Sequence, residues 1–180
     1  MRTVLREVLI TIVLALIIFF IAQATIQTFV VVMTSMEPSF YDGQRLVVNK
    51  AVYIFGEPER GDVVIFRAPN GQNEDFIKRV IAIPGDTVEV KNQAVYVNDV
   101  KLDEPYIKNP PSYTLAELEV PKNSYFVLGD NRDHSNDSHH GWFAKREDLI
   151  GKAWLTTWPP TDWGIVPDYS LDKQLANAKT

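Results

Sequence analysis

Cysteine is absent from the 180 residues, which excludes disulfides, thiolate metal sites and a cysteine nucleophile. It does not fix the compartment, because a cysteine-free domain tolerates either redox state. Histidine is scarce: the three that exist, His134, His139 and His140, share the stretch NRDHSNDSHHGWF (131–143). A histidine-based triad or metal site would have to draw on that loop, and its spacing matches no helical zinc motif, so a polar surface loop is expected, with no metal and no cofactor. An excess of basic residues is missing too. With 18 Lys and Arg against 23 Asp and Glu, the net charge is −5 and no basic stripe stands out, which argues against a nucleic-acid partner. Internal repeats are also lacking, and a hydrophobic content of 46% suits one domain with a real core.

Charge itself is lacking from Val8 to Met36. Arg2 and Arg6 precede the apolar run VLITIVLALIIFFIA (8–22), and the uncharged stretch continues through Val32, long enough to span a bilayer. Positive charge ahead of the run predicts a cytoplasmic N-terminus and the remaining chain on the opposite side. Ala22-Gln23-Ala24 equally fits the small-x-small site of a cleavable secretory signal, and this segment alone leaves the two readings open. With the anchor retained, the expected organisation is a cytoplasmic N-terminus at 1–7, a transmembrane anchor at 8–30, an extracytoplasmic domain at 31–163 and a loose polar tail at 164–180.

Beyond the apolar run the pattern is β. RLVVNK (45–50), DVVIFR (62–67), FIKRVIAI (76–83), DTVEV (86–90), AVYVN (94–98), SYFVLGD (124–130) and GKAWLTTW (151–158) are short, rich in Val, Ile and aromatics, and bounded by turn residues. DTVEV and AVYVN read as a hairpin across Lys91-Asn92-Gln93. So many short strands predict a mostly β, antiparallel fold of the sandwich or barrel kind. Residues 102–122, with Pro105, Pro110, Pro111 and Pro121, read as a long surface connection rather than a core element.

Two residues have chemistry to offer. Lys78 lies in a strand whose alternate positions Phe76, Lys78, Val80 and Ala82 share one face, so its amine sits on an apolar stripe. Burial there disfavours the ammonium, and lowering its pKa from about 10.4 to about 7 would take roughly 4 to 5 kcal/mol. Such a lysine could act as a base, whereas an edge lysine that snorkels to water is the plainer alternative. Ser35, in TSMEPSF (34–40), carries no Gly-x-Ser-x-Gly elbow and by itself reads as a turn before Pro38.

Taken together, Ser35-Met36-Glu37-Pro38 just outside an N-terminal apolar run, Lys78 to Asp86 (KRVIAIPGD), and Gly129 to Ser138 (GDNRDHSNDS) resemble, in order and spacing, the type I signal peptidases of the bacterial kind. The resemblance spans roughly residues 30 to 155. It implies a membrane-anchored antiparallel β domain with an extended hydrophobic surface near the active site. It further implies a Ser/Lys dyad, with Ser35 as nucleophile and Lys78 as general base, a serine at Ser135 hydrogen-bonded to the lysine amine, and a pairing of Arg79 with Asp130. The family pattern points to Val31, Val32, Met36, Phe40, Phe76 and Ile77 as the lining of shallow pockets for small side chains. The substrate strand is then expected to pair with the backbone around Asp75 to Lys78 and Val31 to Met33.

The sequence departs from the family in places. Met33 stands where relatives often have glycine or serine, which removes a hydroxyl donor for the oxyanion, and His139 stands where relatives have the arginine that pairs with Asp137. Ser39, Phe40 and His134 are further replacements. The expectation is a monomeric, membrane-bound endopeptidase on the outer face of a cytoplasmic or thylakoid-type membrane, acting on the signal peptides of preproteins. Two other readings stay open: a degenerate relative serving as a membrane-attached binding subunit, and a secreted Ser/His hydrolase released by cleavage after Ala24.

Overall fold

A computed structural model describes residues 2–71 and 74–178. Met1 and residues 179–180, expected within the two termini, lie outside the described residues. The uncharged N-terminal run forms helix α1 (Arg2–Thr25), of which Thr3–Thr25 is long and apolar enough to cross a membrane and none is buried against the rest of the protein. A helix in lipid closes all its backbone hydrogen bonds internally, which is how the segment can forgo polar neighbours. The helix stops at Thr25. Ile26–Val30, expected to complete the anchor, is instead strand β1, whose β-branched and aromatic residues pair with β2 (Arg45–Asn49) in the register Ile26↔Asn49 to Val30↔Arg45.

After β2 come a one-turn helix α2 (Val52–Phe55) and strands β3 (Val63–Arg67), β4 (Asp75–Ala82), β5 (Thr87–Lys91), β6 (Ala94–Val97), β7 (Val100–Lys101) and β8 (Leu115–Glu119). They are followed by β9 (Ser124–Leu128), β10 (Ala144–Lys145), β11 (Leu149–Trp158), β12 (Gly164–Ile165) and a C-terminal helix α3 (Leu171–Asn177). The larger sheet runs β1-β2-β11-β3-β4-β9-β10 with β12 on β11, and the smaller runs β7-β6-β5-β8. Every pairing is antiparallel. The mostly β architecture read from the sequence is therefore the one adopted, with the DTVEV and AVYVN segments paired as the expected hairpin.

Two expectations fail. Within the supposed surface connection 102–122, Leu115–Glu119 is strand β8, paired with β5, and Leu102, Tyr106 and Val120 are buried. The tail expected to be loose instead closes the core of the smaller sheet. Leu171 and Leu175 of α3 pack with Val88, Val95 and Phe126, while Gln174 exchanges hydrogen bonds with the backbone of Asp103. In both places apolar residues too few to make a pattern locally find partners distant in sequence.

The sheet register also sets a level. Ile26 is opposite Asn49, Asn49 opposite Lys152, Lys152 opposite Val64, and Val64 opposite Lys78. One row across five strands thus joins the first residue after α1 to Lys78, about 19 Å away at roughly 4.8 Å per strand.

Candidate active site

Strand β4 is buried on both faces from Ile77 to Ala82, and Lys78 is only 4% exposed. Its Nζ donates to Ser35 Oγ at 2.7 Å and to the carbonyl of Ile77 at 2.9 Å, with the Phe76 ring 5.4 Å from it. Burial pushes the Lys78 pKa down from 10.5 to about 8, against the opposing pull of the Asp137 and Asp130 carboxylates. A neutral amine at this distance can instead accept the Ser35 hydroxyl proton. That is the arrangement of a nucleophile with its base.

Ser35 is held from behind by the 129–135 loop. Asn131 donates from its backbone to the Ser35 carbonyl and from its side chain to the Thr34 carbonyl, each at 3.0 Å. Gly129 is required at this contact: a Cβ there would overlap the Ser35 carbonyl oxygen and the Ser135 hydroxyl. The loop is in turn tied to β4 by Arg79 and Asp130, 1% and 0% exposed, through two parallel hydrogen bonds of 2.9 and 2.7 Å. The guanidinium also donates to the Gly61 carbonyl and packs against the rings of Tyr106 and Tyr169. The expected pairing is present, and its burial makes it a desolvated bidentate pair rather than an exposed one.

Asp137 is fully buried. Its Oδ2 accepts from the Gly129 backbone at 2.9 Å, and its Oδ1 lies 2.6 Å from His139 Nδ1. His139 thus occupies the partner position left open by the missing arginine, with its ring stacked on Tyr113 at 4.0 Å. The ligand atoms of Asp137, His139 and His140 lie within 4.8 Å of one another and are the group among the described residues that could approach a metal ion.

Ser135 does not make the hydrogen bond expected of it. Its hydroxyl is buried without a hydrogen-bond partner among the described residues, because it faces Gly129 while the lysine amine is engaged by Ser35 and by its own strand. Of the expected pocket residues, Val31, Met36, Phe40 and Ile77 are buried together in one core cluster, whereas Val32 and Asp75 are exposed and Phe76 is half-buried. Both backbone groups of Val31 are taken, by the Gln44 carbonyl and the Gly43 N–H, and the Met33 N–H donates to Asp42 Oδ1. The Val31–Met33 segment is therefore largely closed to further pairing. Strand β4 is open: β3 pairs with it from Asp75 to Arg79, but β9 joins its other edge only from Arg79 onward.

Sequence reasoning singled out neither Asn131 nor Glu104. Glu104 receives a bidentate pair from the buried Arg132, whose Nε also holds the Gly129 carbonyl. The Asn in Gly-Asp-Asn-Arg-Asp was visible as part of a motif, but a carboxylate in a Pro-rich connection gave no signal.

Residues 4–158 match the family model described as signal peptidase, peptidase S26. A probable signal peptidase I-2 of Synechocystis sp. is 42% identical over 140 residues, covering 75% of this chain and 64% of that protein. A signal peptidase I of Leptolyngbya laminosa is 42% identical over 132 residues, 69% of this chain and 65% of that one. Signal peptidase IB of Staphylococcus aureus is 37% identical over 178 residues, 88% of this chain and 92% of that protein. The aligned stretch thus spans slightly under two thirds of the first two relatives and nearly all of the third.

Proposed function

The chain belongs to the signal peptidase family, peptidase S26, and from that premise we propose that it is a membrane-bound serine endopeptidase that removes signal peptides from exported preproteins. The observation that carries this reading is the 2.7 Å contact between Lys78 Nζ and Ser35 Oγ inside a desolvated site. Neutral Lys78 takes the Ser35 proton as Oγ attacks the scissile carbonyl, and the ammonium then gives that proton to the leaving amine. The backbone N–H of Ser35 faces the developing oxyanion. Water, activated by the same lysine, releases the acyl group. Both reacting residues come from one chain, which suits a monomer.

Specificity for small-x-small sites rests on space and edges. The substrate adds as a strand to the open edge of β4 at Asp75–Lys78, so main-chain hydrogen bonds supply affinity. Met36, Phe40 and Ile77 are packed together in one core cluster beneath, so a substrate side chain directed there is accommodated only if it is small. Helix α1 spans the bilayer with Arg2 and Arg6 on the cytoplasmic side. The row from Ile26 to Lys78 supports a base set at the level where the chain would leave the lipid on the opposite side.

The test is incubation of the purified chain, Ser35→Ala and Lys78→Ala with a preprotein in detergent, with product masses read by mass spectrometry. Cleavage after a small-x-small site by the wild type and loss of at least about 10³-fold in both variants are expected. Cleavage that survives Lys78→Ala but fails with a histidine substitution would overturn the dyad. A wild type that releases no product would leave a binding role.

A further inference from the structure

The short helix α2 exposes the two residues after its buried one. Tyr53 is inserted into the core, with its hydroxyl donating to Asp62 Oδ2 at 2.8 Å, whereas Ile54 and Phe55 are 65% and 90% exposed. The turn is fixed in place: Asn49 Oδ1 accepts from the Ala51 and Val52 backbone at 3.0 and 3.3 Å, and Arg146 holds the Tyr53 and Gly56 carbonyls. Phe55 therefore cannot fold inward without giving up these contacts.

Topology says where this apolar tip lies. Strand β1 runs away from α1 and β2 runs back, so the chain beyond Asn49 passes the Ile26–Lys78 row on the side from which α1 enters. The Lys50 N–H donates to the carbonyl of Thr25, the last residue of α1, at 2.8 Å. Between α1 and the sheet lies a groove of about 510 Å³ lined by Phe19, Ala22, Gln23, Ile26, Gln27 and Lys50 among others, apolar at Phe19 and Ala22 and amide- and amine-bearing at Gln23, Gln27 and Lys50, toward the domain. That is the polarity gradient of a bilayer interface. The tip is separate from the other end of β2, where Arg45 is paired with Val30 and Trp158.

We infer that Ile54 and Phe55 enter the lipid bilayer at the headgroup boundary beside α1 and form a second point of attachment. The inference rests on α1 spanning the membrane. One helix leaves a domain free to swivel, and a second, fastened contact removes that freedom and holds the open edge of β4 toward emerging substrate.

The cysteine-free chain makes the test direct. The full chain carrying Phe55→Cys, labelled with an environment-sensitive fluorophore, is reconstituted into phosphatidylcholine/phosphatidylglycerol vesicles containing lipids with a nitroxide near the headgroup. The control label is at Gln93→Cys, exposed in the β5–β6 hairpin of the smaller sheet. Quenching at position 55 several-fold above that at position 93 is expected, and equal quenching overturns the inference. Phe55→Ser, which removes no buried contact, is expected to cleave preprotein in vesicles about tenfold more slowly while cleaving a soluble peptide in detergent at the wild-type rate. Unchanged cleavage in both settings also overturns it. Quenching does not depend on catalysis, so an inactive wild type with a quenched label sinks the proposed peptidase activity alone. Release of the chain from vesicles by alkali sinks the spanning helix on which the inference rests.

Discussion

Lys78 carries opposite consequences for rate and for stability. Only its neutral form can accept a proton from Ser35, so kcat/KM is expected to rise with pH through a midpoint near 8 and then level off. Asp137 favours the ammonium, so Asp137→Asn should move that limb to lower pH, a displacement that a purely structural role would not produce. The folded-state pKa lies below the ordinary 10.5, so between about 8 and 10.5 the unfolded chain holds a proton that the folded chain lacks. Stability from this group therefore rises across that window, and below it the penalty is complete, on the order of 3 kcal/mol. Lys78→Met should accordingly be inactive yet more stable than wild type at pH 7, with the difference in unfolding free energy closing as pH climbs. Gly129 is the other sensitive residue. Gly129→Ala should displace the Ser35 carbonyl or the Ser135 side chain and lower kcat on the order of 10²-fold, measured by steady-state cleavage, with a smaller change in Tm.

At the scale of elements, the sequence was legible where hydrophobic alternation and turn chemistry agreed, as in the β5–β6 hairpin and in β4. It misled where they did not. LAELE (115–119) is built of good helix formers, and only pairing with β5 makes it a strand. IQTFV (26–30) continues an uncharged run, and hydropathy has no way to mark a helix giving way to a strand inside it. The C-terminal helix shows only Leu171 and Leu175, one turn apart, which are too few to signal burial. Their burial predicts a cost: Leu171→Ala should destabilise the chain by about 2 to 5 kcal/mol in chemical denaturation, against almost nothing for a loose tail. In the site, Ser35, Lys78, Arg79 and Asp130 are legible only from three motifs taken together, in their order and spacing. The hydroxyl of Ser135 was assigned a bond it lacks, because side-chain direction within an irregular loop is set by neighbours such as Gly129 that are not adjacent in sequence.

The whole molecule joins one apolar helix, not buried against the rest of the protein, to two antiparallel sheets, with the candidate chemistry on β4 of the larger sheet and on the loops that pack against it. Arg2 and Arg6 predict the orientation. In intact spheroplasts, a membrane-impermeant maleimide should label Gln93→Cys without permeabilisation, whereas a cysteine at Thr3 should react only after lysis. The reverse pattern would put the domain on the cytoplasmic side, away from exported preproteins.

The row that runs from Ile26 through Asn49, Lys152 and Val64 to Lys78 acts as a height gauge. Because Lys78 hangs from cross-strand register, its distance from the end of α1 can change only if paired strands slip by two residues at a time, about 7 Å. On the proposed function, with the domain fastened to the bilayer, a preprotein would be sorted by arithmetic as well as by side chains: its apolar segment would have to end so that a small-x-small bond arrives at the height of Lys78, and a bond set a full turn of helix too deep would stay out of reach.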